Sequence, residues 1–122
     1  MLRGIRGAIT VDVNEQKEIT ERVIELLTAV QEANKFALED IAAVIFSSTP
    51  DLNAAFPAAA ARAIGWAEVP LFGTQEIEHP QGLALCVRVL ILWNTDRSAK
   101  EIRHIYLRGA RTLRVDIKQV LE

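Results

Sequence analysis

Apolar and polar positions alternate from the start of the chain. Ile5, Gly7, Ile9, Val11 and Val13 interleave with Arg6, Ala8, Thr10 and Asp12, the period-two pattern of a first strand. On that parity Arg6 points away from the Ile5 face. The period changes after Asn14, a residue suited to an N-cap: Ile19, Val23, Leu26, Leu27 and Val30 recur at helical spacing to about Asn34, with charges between them. This predicts an amphipathic helix lying on a sheet. Leu38 to Ile41 adds a turn of helix, Ala43 to Phe46 reads as a short buried strand, and the turn Ser48-Thr49-Pro50-Asp51 follows. Pro57 suits the first position of a helix running through alanines to Ile64, and Gly65 suits its C-terminal cap. A third strand is expected over Val69 to Phe72.

Leu83 to Trp93 is the longest apolar stretch. Leu85, Val87, Val89, Ile91 and Trp93 fall on one face and Cys86, Arg88, Leu90 and Leu92 on the other, so both faces are expected to be buried, as in a central strand. Ser98 and Glu101 have capping-box spacing for a short helix, and His104 to Leu107 reads as the last strand. The sum is an α+β fold, a mixed sheet with helices mainly on one face. Its other apolar face needs a cover that a chain this short has little left to supply, and oligomerisation is the simplest remedy.

Composition narrows the partners more than it changes the fold. At 122 residues the chain reads as one domain over residues 1–122, half of it apolar, with a net charge of −2 that gives no global basic field for nucleic acid. Any anion site must be local. The only cysteine is Cys86, which excludes an intrachain disulfide and an all-cysteine metal site and fits a reducing, cytoplasmic compartment. No stretch has the pattern of a signal peptide or of a membrane span, so no membrane role is expected.

Arg88 is the sharpest chemical signal, because a guanidinium in the middle of an apolar strand needs an anionic partner to offset its desolvation. That partner is either a protein carboxylate or a ligand. Arg6 lies on the outward parity of a first strand with glycines at 4 and 7, where a ligand or another backbone can approach closely. Glu76, just past the third strand, is placed either to pair with Arg88 or to accept from a hydroxyl. Tyr106 either donates to a carboxylate or fills an interface, and Phe56 is a core residue, a staple or a pocket wall. Cys86 in a buried strand reads as inert packing. Glu76, Glu78 and His79 have no recognised metal-ligand spacing, so no metal is expected. Motifs for acyl hydrolysis, nucleotide hydrolysis and dinucleotide binding are missing. Arginines with one glutamate and one tyrosine suit a small polyanion carrying a hydroxyl.

Four segments, in order and spacing, resemble the AroH class of monofunctional bacterial chorismate mutases. They are Arg3-Gly4-Ile5-Arg6-Gly7-Ala8; Ser48-Thr49-Pro50-Asp51-Leu52 leading to Phe56-Pro57-Ala58; Gln75-Glu76 followed by Cys86-Val87-Arg88-Val89; and Ile102-Arg103-His104-Ile105-Tyr106-Leu107. The resemblance runs from Arg3 to about Asp116. It implies a homotrimer with its sheets packed at the centre as a pseudo-α/β barrel, and active sites in the clefts between subunits. It also implies conversion of chorismate to prephenate, in the shikimate pathway to phenylalanine and tyrosine, without cofactor or metal. By this resemblance Arg88 binds the enolpyruvyl carboxylate and the ether oxygen, Arg6 and Tyr106 hold that carboxylate, and Glu76 takes the ring hydroxyl. The backbone of Phe72, Gly73 and Thr74 lines the pocket, Phe56 and Leu113 wall it, and Arg62 and Arg114 attract the second carboxylate. Gly73 stands where the family has a familiar cysteine and Ala59 where it has a familiar lysine. A second reading, a trimeric small-molecule binder or enamine/imine deaminase of the RidA-like superfamily, shares the architecture and also uses an arginine at a subunit cleft. The combination of Arg6, Glu76, Arg88 and Tyr106 favours chorismate.

Overall fold

The computed structural model describes residues 1–113, with strands β1 (Leu2–Thr10), β2 (Ile41–Ser48), β3 (Leu71–Gln75), β4 (Cys86–Asn94) and β5 (Ile105–Leu107). Its α-helices are α1 (Gln16–Asn34) and α2 (Pro57–Ala63). The strands form a single mixed sheet in the order β3-β2-β4-β1-β5. The long apolar strand β4 takes the centre, antiparallel to both β1 and β2, as its two apolar faces require. The edges β3 and β5 add in parallel, to β2 and β1 respectively.

The odd-numbered side chains of β4 join Ile5 and Ile9 of β1 and Val44 and Phe46 of β2 in one core. Above them α1 lays down the stripe expected from its periodicity, with Ile19, Val23, Leu26, Leu27 and Val30 buried. Gly7 allows this close approach: a Cβ there would stand 3.1 Å from Val89 and 3.3 Å from Leu26, and 3.2 Å from the carbonyl of Ile105. Its openness therefore serves the helix and strand β5 and not a ligand. Phe36, Trp66 and Trp93 close the end of the core with edge-on and tilted ring contacts.

Most element boundaries follow the sequence pattern, and the departures have physical causes. Pro57 opens α2, and Gly65 just past its end takes φ +98°, a conformation favouring glycine. Both halves of the Ser98–Glu101 capping box form. Asn14 does not cap α1. The N-cap is Glu15, without a side-chain bond, while the Asn14 amide crosses to Asn53 and its oxygen accepts from the backbone N–H groups of Asn53 and Ala54. The third strand begins at Leu71 and not Val69, because Val69 N–H is used in a turn to the Trp66 carbonyl and Pro70 has no N–H to donate.

The expectation that both faces of the central strand are buried needs correction. Val87, Val89, Ile91 and Trp93 are buried, but Arg88, Leu90 and Leu92 are only half-covered. Helices α1 and α2 both lie with the opposite, core face. Near the C-terminal end of the described chain a short 3-10 turn, Arg108–Thr112, covers part of the outer face, where Ala110 packs with Ala8 and Cys86. The rest of that face, with Phe72 at its edge 64% exposed, is open in one chain.

Candidate functional site

Strand register gathers the candidate residues. Thr74 stands opposite Ser47, Ser47 opposite Arg88, Arg88 opposite Ala8, and Ala8 opposite Tyr106. Directly paired residues share a face, so one row of side chains crosses all five strands on the outer side of the sheet. Ala8, the small member of the row, is fully buried where Ala110 and Cys86 pack on it. One step along β1, Arg6 takes the same face. Arg6, Ser47, Arg88, Leu90 and Tyr106 line a recess of about 270 Å³.

Glu76 extends the line of β3, its N–H donating to the Ser48 carbonyl at 2.8 Å. Its carboxylate accepts from the Ser47 hydroxyl at 2.7 Å and lies 3.1 Å from Nε of Arg88. The pairing foreseen for Arg88 and Glu76 thus forms. Neither partner is sealed: the Arg88 side chain is 42% exposed and that of Glu76 30%. An ion pair so open to solvent is a weak structural element, and its charges remain available to a ligand. A second recess of about 430 Å³ opens on the other side of the pair, between the turn at Thr49–Asp51 and the loop from Ile77 to Ala84.

Phe56, Gly73 and Thr74 belong to another opening, of about 690 Å³, at the β3 edge of the chain. Phe56 is 79% exposed there, which sets aside its reading as a core residue. A Cβ on Gly73 would meet nothing within 4 Å, so the space tolerates the family's cysteine as readily as this glycine. Ala59 lines the same opening. Arg62 is exposed in the last turn of α2, and neither it nor Phe56 lines the Arg88 recess of the same chain. Leu113 packs against the Ala8–Cys86–Ala110 cluster beside Tyr106. Arg114 lies outside the described residues.

Burial pushes the Cys86 thiol up to about 11, which leaves it protonated and inert at neutral pH. Cys86→Ala is therefore expected to keep activity within about threefold of wild type, a barrier change of ~0.7 kcal/mol, in a turnover assay. Burial also lowers the pKa of His104 below its ordinary 6.5, so the imidazole is neutral at pH 7. Among the described residues no three of His, Cys, Asp and Glu group as metal ligands, and no helix is long and apolar enough to cross a membrane.

Sequence reasoning missed Ser47, His104 and Asn34. Ser47 fixes one oxygen of Glu76, and its only sequence signal is a polar residue closing an apolar strand. Nδ1 of His104 accepts from the Arg6 N–H at 2.9 Å. Asn34 is fully buried at the end of α1, bonded to both backbone groups of Arg103. A polar residue on the buried stripe of an otherwise apolar helix face was the available sign.

A family model described as chorismate mutase type I matches residues 2–117. A Chorismate mutase AroH of Thermus thermophilus is 49% identical over 119 residues, 97% of this chain and 98% of that protein. A protein of the same name from Bacillus subtilis (strain 168) is 42% identical over 118 residues, 96% of this chain and 93% of that one. A solved structure of a chorismate mutase from Clostridium thermocellum superposes with a TM-score of 0.88 at 44% identity, over 90% of this chain and 98% of that one.

Proposed function

The chain belongs to the chorismate mutase type I family and is a chorismate mutase, an isomerase of aromatic biosynthesis, and from that premise we propose how its residues perform the rearrangement. Family membership also decides against the imine deaminase reading. Chorismate rearranges to prephenate within one molecule. The ether C–O bond breaks ahead of full C–C bond formation, and negative charge gathers on the ether oxygen. No proton moves. A protein accelerates such a step by holding the folded conformer and by presenting a fixed positive charge where negative charge develops.

Arg88 supplies that charge at the centre of the row. Arg6 and Tyr106, on the same face, grip the enolpyruvyl carboxylate together with the Arg88 fork, and Glu76 accepts from the ring hydroxyl. The observation that carries this assignment is the convergence of Arg6, Arg88 and Tyr106 on one recess, with Glu76 at 3.1 Å from Arg88 and oriented by Ser47. A carboxylate substrate entering beside Arg88 leaves Glu76 its serine bond and frees it to take the hydroxyl.

The outer face is covered, in this proposal, by two further copies of the chain in a closed trimer, with cytoplasmic residence of the assembly. The split of the candidate residues supports it: the recess of Arg88 lies on the sheet, whereas Phe56, Gly73 and Thr74 line a separate opening at the β3 edge. The edge of one copy against the sheet of the next joins the two halves, with Arg62 bringing charge for the second carboxylate and Leu113 and the backbone of Phe72 closing the walls. Arg114 joins this set by resemblance alone.

The direct test is loss of the diene absorbance of chorismate on adding the purified protein, with prephenate as sole product. Unchanged decay would overturn the assignment. From about pH 7 to 9, kcat is expected to stay nearly flat, since carboxylates and guanidinium groups keep their charge and His104 is neutral throughout. A bell-shaped profile in that range would show that a proton is transferred and would remove the proton-free mechanism.

A further inference from the structure

The β1–β5 junction carries two of the proposed substrate-binding side chains on a slender support. Strand β5 is three residues long and pairs with β1 only at Gly7–Ile105, Ala8–Tyr106 and Ile9–Leu107. An edge strand of that length has little stability of its own. Two side chains fasten its start. Asn34 holds Arg103 on both sides, donating from Nδ2 to its carbonyl at 3.0 Å and accepting its N–H at Oδ1 at 2.9 Å, while Nδ2 also donates to the Val30 carbonyl at 3.0 Å. His104 then continues the ladder by a side chain in place of a backbone carbonyl, its Nδ1 accepting the Arg6 N–H at 2.9 Å. For Nδ1 to accept, the ring must be neutral with its proton on Nε2, and burial of the ring favours the neutral form.

We propose that His104 is a positioning residue of this enzyme, fixing the β1 backbone at Arg6 against the start of β5 so that Arg6 and Tyr106 present one preorganised grip to a substrate carboxylate. The proposal rests on the assignment of Arg6 and Tyr106 to that carboxylate. It follows from geometry, because the two side chains sit on different strands and the His104 bond ties those strands next to both. Asn34 instead joins Arg103 to the Val30 carbonyl of its own helix and so anchors the connector to α1, without touching β1. The carboxylate is the same in substrate and transition state, so loss of the His104 bond weakens both together and raises KM more than it lowers kcat. A general acid or base at this position would change kcat instead.

His104→Leu removes the acceptor, His104→Asn keeps one at the δ position without an imidazole, and His104→Gln moves it one bond further out. Wild-type turnover is measured first, and its absence removes the functional assignment and this proposal together. With turnover present, His104→Leu is expected to raise KM about tenfold with kcat within about threefold, His104→Asn to return KM to within about twofold of wild type, and His104→Gln to resemble the leucine variant. In an Arg6→Ala background, His104→Leu is expected to change KM by less than about twofold, since the two-sided grip that the bond preorganises has already lost its Arg6 side chain. Unchanged KM in a folded His104→Leu protein, or an asparagine variant as impaired as leucine, overturns the proposal while the functional assignment stands. So does a full tenfold loss added on top of Arg6→Ala. Should the leucine variant fail to fold, asparagine against glutamine decides by the same KM difference, and equal KM values refute the role.

Discussion

Arg88→Ala is expected to lower kcat by at least about 10²–10³ while the protein stays folded and assembled, the usual loss for one fixed donor to a developing oxyanion. The geometry sharpens this test. Truncating one partner of a sealed ion pair strands the other charge and costs roughly 3–5 kcal/mol of stability. The Arg88–Glu76 pair is not sealed, and Glu76 keeps its bond from Ser47 at 2.7 Å when the guanidinium is removed. For a pair this open within one chain, the loss to the subunit's own folding stability is expected to be at most about 1 kcal/mol. A large fall in kcat with a small fall in stability therefore separates the catalytic role from a structural one. Arg88→Lys keeps a positive charge but not the planar fork proposed to serve a carboxylate and the ether oxygen at once, and is expected to remain strongly impaired. Both variants should also lose affinity for an oxabicyclic transition-state analogue. The measurements are chorismate decay, analogue binding and thermal unfolding. A folded Arg88→Ala protein within about tenfold of wild type, a barrier change of only ~1.4 kcal/mol, would remove Arg88 as the catalytic cation.

Placing a charge on the uncovered sheet face is expected to disable the enzyme without touching the recess. Leu92 shares the face of Leu90 and Arg88, lies opposite Gly4 and Ala43, and is no part of the recess around Arg88. The next row on the same open face runs from Leu90 through Ile45 to Phe72, which is 64% exposed at the sheet's edge. In one chain a glutamate at 92 reaches water at little cost. In a subunit interface it is an unpaired buried carboxylate, a penalty of several kcal/mol, which weakens association on the order of 10²-fold or more. Leu92→Glu is thus expected to sediment as a monomer under conditions where wild type is expected to form the proposed trimer. Turnover should fall at least about 10²-fold and recover in part as protein concentration rises, because in the proposed trimer each site draws on residues of two copies. Full activity from a monomeric Leu92→Glu protein, or from wild type sedimenting as a monomer, would show that one chain holds a complete site.

Local sequence pattern carried much of the fold. The alternation around Ile5, the stripe from Ile19 to Val30 and the long apolar run ending at Trp93 each correspond to the element they predict, with the core faces they imply. Short-range chemistry was equally legible at Pro57, at Gly65 and at the Ser98–Glu101 box, where the partners are at most a few residues apart. Arg88 stood out for a local reason too, as a charge within an apolar strand. The sequence segments that resemble known chorismate mutases identified the family.

The tertiary structure alone decided which of those side chains meet. Nothing in the neighbourhood of Ser47, Ala8 or Tyr106 says that they share a row with Arg88. That follows from strand order and register, set by packing over separations of tens of residues. The same holds for Asn14, drawn from the helix cap to Asn53, and for Asn34 and His104, whose partners are backbone groups of segments 69 and 98 residues away. A residue's period and type report the face it occupies, because those depend on its own backbone. Its partner across the sheet depends on how distant elements dock, and that choice is made by the sum of the core contacts and backbone pairings rather than by any local pattern.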